Sequence, residues 1–177
     1  MRTILIPAFM TFAALYCNAG SASEKPQNVT LCDVLSDPAA FNHKLVKVSG
    51  VVSRGFEEFT LNDDSCHNNN TMWLELGGTR GSQVIYCCGD NNVDNRRKAP
   101  LVVEGIETTL IEDEVFSRFE RLTNRRRGYG KAKVVLVGRY FSGTQQTLPG
   151  GTFWMGYGHM GMGSLLVVQQ VLEAERP

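Results

Sequence analysis

The chain has 177 residues, 42% of them hydrophobic and 20% charged, and its 18 lysines and arginines balance 18 aspartates and glutamates. This apolar fraction excludes a disordered chain, and no apolar run beyond the N-terminus is long enough for a membrane-spanning helix. A formal net charge of zero argues against a dedicated nucleic-acid-binding protein, whose surface is normally strongly basic.

The first 22 residues have the order of a secretory signal peptide. Arg2 supplies positive charge, residues 4–15 are mostly apolar, and residues 19–22 are small. The apolar stretch is shorter than the ~20 residues that a membrane-spanning helix needs. Lipid attachment at Cys17 is disfavoured because the large Tyr16 precedes it. We therefore expect cleavage after Ala19 or Ala22, which leaves one domain (residues 23–177), periplasmic or secreted, with no transmembrane segment.

The first part of this domain predicts a short helix followed by three strands. Apolar spacing predicts the helix within residues 29–41, with Thr30 as its N-cap and Pro38 at its end. Alternating valines predict a strand over residues 44–54, and Gly50 within it predicts a bend that curves the strand into a small barrel. Two further strands are predicted over residues 58–61 and 72–76.

Residues 77–109 predict an inserted β-hairpin. Its strands are predicted over residues 83–88 and 101–106, joined by a polar loop. A helix follows over residues 112–123, because apolar residues fall on one face and Arg121 suits the negative end of the helix dipole. The last predicted elements are a strand over 133–140, a glycine-rich loop over 143–163, a strand over 165–172 and a tail from 173.

Both the order of elements and several segments resemble a known group of proteins. The segments are KLVKVSGVV at residues 44–52, FTLND at 59–63, VLVG at 135–138 and GYGHMG at 156–161. Over residues 31–172 the chain resembles small exported bacterial OB-fold-like proteins of unknown function. The resemblance implies a mainly β fold, a five-stranded Greek-key barrel with a helix between strands 3 and 4. An N-terminal helix and the inserted hairpin are added to it. Since this group has no defined activity, no catalytic residue is carried over.

After removal of the signal peptide four cysteines remain, which in an oxidising compartment indicates disulfides. They are Cys32, Cys66, Cys87 and Cys88. A bond between the adjacent Cys87 and Cys88 closes a strained ring. The favoured pairings therefore join Cys32 and Cys66 to these two neighbours, in either order.

Three motifs that could indicate a cofactor, metal or nucleophile are interpreted structurally. Gly156, Gly158 and Gly161 fit GxGxxG, but a strand rather than a helix is predicted after them, so no dinucleotide cofactor is expected. Zinc on His67 and the three cysteines at 66, 87 and 88 is disfavoured because adjacent ligands give poor tetrahedral geometry. Adjacency of Cys66 and His67 is likewise no evidence for a catalytic dyad. We predict no metal and assign no catalytic residue.

We predict a non-catalytic binding module of the cell envelope, for a small molecule, a glycan or an envelope protein. The expected contact residues are Phe59 and Trp73 on one barrel face, or Tyr157 and His159 in the glycine-rich loop, where His159 is otherwise a packed, hydrogen-bonded residue. One alternative is single-stranded nucleic-acid binding through the basic segment 121–133, against which the neutral charge and the export argue. The other is an unidentified hydrolase.

Overall fold

A computed structural model describes residues 24–55, 58–66, 72–82, 96–123, 130–149, 151–161 and 163–177. The predicted signal peptide, the predicted strand 83–88, Cys87 and Cys88 lie outside these residues. Within the described ranges, no helix has the length and apolar character required to cross a bilayer.

The described chain is mainly β. Its elements are β1 (Gln27–Asn28), α1 (Leu31–Ser36), α2 (Pro38–Phe41), β2 (Leu45–Arg54), β3 (Phe59–Asn62), β4 (Met72–Leu76), β5 (Val102–Val103), β6 (Ile106–Glu107), α3 (Glu114–Thr123), β7 (Gly130–Phe141), β8 (Thr144–Leu148), β9 (Gly151–Met155), a 3₁₀ turn (His159–Gly161) and β10 (Ser164–Glu175).

Five of the strands close into a barrel. Their hydrogen-bonded order is β2–β3–β4–β10–β7, and β7 pairs with β2 along the full length of β2. Neighbouring barrel strands are antiparallel except β4 and β10, which are parallel. The short β1 adds to β2 in parallel at Val46 and Lys47. The prediction of a mainly β, five-stranded barrel is confirmed.

Alternation along β2 directs one set of side chains into the barrel. Val46, Val48 and Val52 are at most 1% exposed, as the sequence pattern predicted. Gly50 lies where a Cβ atom would stand 2.8 Å from the carbonyl oxygen of Asn62. Only glycine therefore allows β2 and the end of β3 to approach this closely.

Helices cover the barrel core. Thr30 caps α1 as predicted, because its hydroxyl accepts from the amide of Asp33 while the Asp33 carboxylate accepts from the Thr30 amide. The helix ends at Ser36, and Pro38 begins the separate α2. Phe119 of α3 has no exposed surface and its ring centroid lies 6.4 Å from that of Phe59 in β3.

Three element predictions are wrong. Residues 101–106 form not one strand but parts of β5 and β6, since the turn residues Glu104 and Gly105 have positive φ and reverse the chain. The glycine-rich loop 143–163 contains the β8–β9 hairpin; β8 is mostly polar and the apolar residues of β9 are consecutive, so neither strand shows an alternation. The predicted tail from residue 173 continues β10, because bulges after Val168 and Val171 shift its register and hide the alternation.

Candidate functional site

Phe59 and Trp73 do not share a face of the barrel. The register pairs Trp73 with Thr60, the neighbour of Phe59, so the two aromatic side chains point to opposite sides. Phe59 has no exposed surface and belongs to the core. Trp73 is 7% exposed on the outer side of β4.

The loop before β10 covers Trp73. Gly158 has a φ of +75°, and a Cβ atom on it would lie 2.5 Å from Cε3 of the Trp73 indole. The ring of Tyr157 meets that of Phe141 edge-on, with 6.3 Å between centroids. The structure thus brings Trp73 and Tyr157 to one region, whereas His159 is exposed at the start of the 3₁₀ turn. The GxGxxG glycines lie in this loop and turn, with β10 following them.

A single carboxylate joins this loop to two other segments. The hydroxyl of Tyr157 donates to Oε1 of Glu104, and Nε2 of His43 lies 2.5 Å from Oε2. The hydrogen bonds from Tyr157 and then His43 hold the pKa of Glu104 below its usual value. His43 and Glu104 are the non-glycine residues with positive φ among the described ranges, at 61° and 48°. Sequence reasoning missed both, and the Glu-Gly dipeptide at 104–105 was the available turn signal.

A groove of about 490 Å³ lies on the outer side of the barrel. Cross-strand pairing places outward positions of β2, β7 and β10 side by side in two rows. One row is Ser49, Val135 and Glu173, and the other is Asn62, Val51, Lys133 and Glu175. Val51 and Val135 therefore form an apolar floor, with polar side chains around it.

The turn after β3 forms one wall of this groove. It contributes Asp63 and Asp64, opposite Glu173 and Glu175 of β10. Oδ1 of Asp63 accepts from the hydroxyl of Ser65 at 2.7 Å and from its amide at 2.9 Å. These bonds, the hydroxyl first, lower the pKa of Asp63, so its carboxylate stays charged. Four carboxylates and one ammonium group make the groove acidic.

Cys32 and Cys66 are bonded to each other, so the favoured pairing of each with Cys87 or Cys88 is wrong. The first turn of α1 lies beside the turn after β3 and brings the two Cα atoms to 5.2 Å. No spacing in the sequence reveals that approach, because it depends on how α1 packs on the barrel. The bonded Cys66 sulfur is also unavailable as a zinc thiolate.

The described residues contain no metal-binding cluster, and they include the predicted basic segment 121–133 only at its two ends. Within those ranges, no group of three or more His, Cys, Asp or Glu side chains is arranged around a metal position. Residues 124–129, the centre of the predicted basic segment, lie outside the described ranges. Its C-terminal residue, Lys133, lines the acidic groove.

No family model, curated protein or solved structure matches the chain. Its function is therefore argued from the geometry and charge of its own residues. The groove and the Tyr157 region are the two features that bear on it.

Proposed function

We propose that the protein is a non-catalytic binding module exported to the cell envelope, with an OB-fold-like barrel as its domain. The strand order β2–β3–β4–β10–β7 and the position of α3 between the third and fourth barrel strands support the fold proposal. A signal peptide over residues 1–22 and an oxidising compartment agree with the Cys32–Cys66 disulfide.

The groove is the observation that carries this proposal. Its apolar floor at Val51 and Val135 suits the aliphatic part of a long side chain, such as that of lysine or arginine. Its carboxylate walls suit groups that carry positive charge. We assign the ligand to a lysine- or arginine-bearing peptide segment of an envelope protein. The lowered pKa of Asp63 suits a charged recognition group and is poorly matched to a general acid or base at neutral pH.

The nucleic-acid alternative places phosphates near the same surface. Lys131 and Lys133 belong to the predicted basic segment, but Lys133 faces Glu175 across the β7–β10 ladder. Four carboxylates in this groove repel a phosphate backbone. The binding-module proposal therefore predicts that the groove attracts positively charged ligands, whereas the nucleic-acid hypothesis predicts that it attracts negatively charged ones.

Isothermal titration calorimetry distinguishes these two hypotheses. We expect tetralysine to bind, with an affinity that falls as salt increases, and tetraglutamate not to bind. Substitution Asp63→Asn together with Asp64→Asn should weaken tetralysine binding about threefold to tenfold, the loss expected for two partly exposed ion pairs. Glu107→Gln, an exposed carboxylate on β6, is the matched control and should leave the affinity unchanged.

Two results would contradict the proposal. One is equal affinity of the wild type and the Asp63→Asn/Asp64→Asn variant for tetralysine. The other is tighter binding of a thymidine oligomer of about ten nucleotides than of tetralysine, which would favour the nucleic-acid function.

A further inference from the structure

We infer that the Cys32–Cys66 disulfide regulates ligand binding in the groove. The oxidised bond fixes the position of the groove wall formed by residues 63–66, which carries Asp63 and Asp64, and reduction of the bond makes this wall mobile. This inference rests on the proposed binding function and concerns the regulation of the same site. The bond lies at the end of the wall turn, immediately after Ser65.

The disulfide connects the wall to a firmly anchored helix. Cys32 is the second residue of α1. The helix residues Leu31, Val34 and Leu35 are at most 5% exposed and belong to the hydrophobic core. Cys66 therefore holds the end of the wall turn against an element that the barrel core fixes in place.

Other hydrogen bonds of the turn are local. Ser65 donates to the Asp63 carboxylate, and the Cys66 amide donates to the Asp63 carbonyl at 3.0 Å. These bonds shape the turn, whose ends are held at Asn62, paired with Val51 of β2, and at Cys66, which packs against the core. Among the described residues, a contact of 3.8 Å between Cys32 Sγ and the Ser65 hydroxyl also links the turn to α1. Loss of the covalent bond should therefore loosen the wall before it affects the barrel.

The disulfide is accessible to a reductant. Both Cys32 and Cys66 are only partly buried. A thiolate of a small dithiol attacks one sulfur, breaks the S–S bond and forms a mixed disulfide, which the second thiolate of the reductant then resolves. The dithiol becomes a cyclic disulfide, and Cys32 and Cys66 gain two electrons and two protons to become thiols.

A mobile wall weakens binding because the ligand must order it. Asp63 and Asp64 would lose their fixed position relative to Glu173 and Glu175 on the opposite wall. Ordering one or two such side chains on binding corresponds to about a tenfold loss of affinity. The barrel ladders between β2, β7 and β10 contain neither cysteine, so the fold should persist.

The experiment compares the oxidised protein, the dithiol-reduced protein and a Cys32→Ser/Cys66→Ser variant. Because a reductant would also reduce any disulfide of Cys87 or Cys88, the double variant shows the effect of losing the Cys32–Cys66 bond alone. Two quantities are measured: amide hydrogen exchange across residues 62–66, and the affinity for tetralysine. Phe116→Leu, a core substitution in α3, controls for general destabilisation because Phe116 is 3% exposed and does not line the groove.

We expect faster exchange at residues 62–66 and about tenfold weaker binding in the reduced protein and the double variant, with β2 and β7 amides still protected. Phe116→Leu should change neither the exchange of the turn nor the affinity. Unchanged exchange at residues 62–66, or unchanged affinity despite faster exchange, would overturn control by the disulfide. Absence of tetralysine binding to the oxidised protein would instead overturn the proposed function. In that case the exchange rates at residues 62–66 would still show whether the disulfide fixes the wall.

Discussion

Gly158 is the residue of the loop before β10 that lies directly against the Trp73 indole. Its positive φ and its contact with the Trp73 indole both exclude a side chain. We predict that Gly158→Ala lowers the free energy of unfolding by about 1–3 kcal/mol, since backbone strain and a steric overlap act together. The tryptophan emission should shift to longer wavelength as Trp73 becomes hydrated, which denaturant titration followed by fluorescence measures.

Gly105→Ala is the matched control for this prediction. Gly105 has a φ of +79°, but nothing lies within 4 Å of a Cβ atom placed on it. It therefore reports backbone strain alone, about 1 kcal/mol, without an emission shift. A Trp73→Phe variant identifies the emission of Trp73 against that of Trp154. Equal stability losses in Gly158→Ala and Gly105→Ala would show that the indole contact contributes nothing.

The positions of individual residues could be predicted only where one segment determines them. Thr30 as a cap follows from its own helix. The relation between Phe59 and Trp73 depends on the β3–β4 register, which places Thr60 rather than Phe59 beside Trp73. Within a single strand, alternation shows which residues share a face but not how two strands align.

Among the elements, the β5–β6 hairpin contacts the rest of the protein through Glu104 as well as through Val103 and Ile106, which pack against the core. The lowered pKa of this carboxyl means that its charged form is stabilised in the folded protein. This contribution is present above the ordinary pKa of 4.5 and is lost as pH falls through the folded value. Because the Glu104 side chain is 37% exposed, solvent screening keeps the contribution small.

We therefore predict that Glu104→Gln destabilises the protein at neutral pH by a few tenths to about 1 kcal/mol. The difference from the wild type should begin to shrink below pH 4.5, where the unfolded carboxyl takes up a proton, and should disappear below the lower pKa of the folded protein. Urea unfolding at several pH values measures it. Glu107→Gln, which removes an exposed carboxylate of the same hairpin, is the control and should stay within about 0.5 kcal/mol of the wild type. A constant Glu104→Gln effect down to acidic pH would contradict the role of the charged carboxylate.

Elements with a strong local pattern were predictable, and those defined by pairing were not. The valine alternation of β2 and the apolar face of α3 predicted both elements within two residues of their ends. The strands β5 and β6 have two residues each, too few to show a period. The end of β10 was missed because its bulges interrupt the alternation on which strand prediction depends.

On the scale of the whole molecule, closure of the barrel was predictable but the groove was not. The order of elements and the glycine at position 50 predict a closed barrel, which the pairing of β2 with β7 completes. The groove combines outward positions of three strands with a turn, from segments more than 100 residues apart in the chain. Its acidic character depends on the register that sets Lys133 beside Glu175 and Val135 beside Glu173.

An ion-pair network joins the barrel, α3 and the insertion. Arg54, the last residue of β2, is 5% exposed, and its guanidinium donates to Glu120 of α3 at 2.9 Å. It also lies 4.8 Å from the centroid of the Phe59 ring. Arg80 of the insertion donates to the other oxygen of Glu120 at 2.9 Å. Glu120 thus connects three parts of the molecule, and removal of one partner leaves a charge with incomplete compensation in a largely buried site.

We predict that Arg54→Met lowers the free energy of unfolding by about 3 kcal/mol, because the largely buried Glu120 carboxylate loses one of its two arginine partners among the described residues and the Ser82 carbonyl loses the Arg54 donor. Arg54→Met combined with Glu120→Met should cost less, since the largely buried Glu120 charge is removed and Arg80, whose side chain is 30% exposed, keeps Glu112 at 3.8 Å. Arg96→Met, which removes an exposed ion pair with Glu112, is the control and should cost less than about 1 kcal/mol. Urea unfolding of the three variants tests this, and a double variant as unstable as Arg54→Met would show that the loss comes from the contacts of Arg54 with Phe59 and the Ser82 carbonyl rather than from the charge of Glu120.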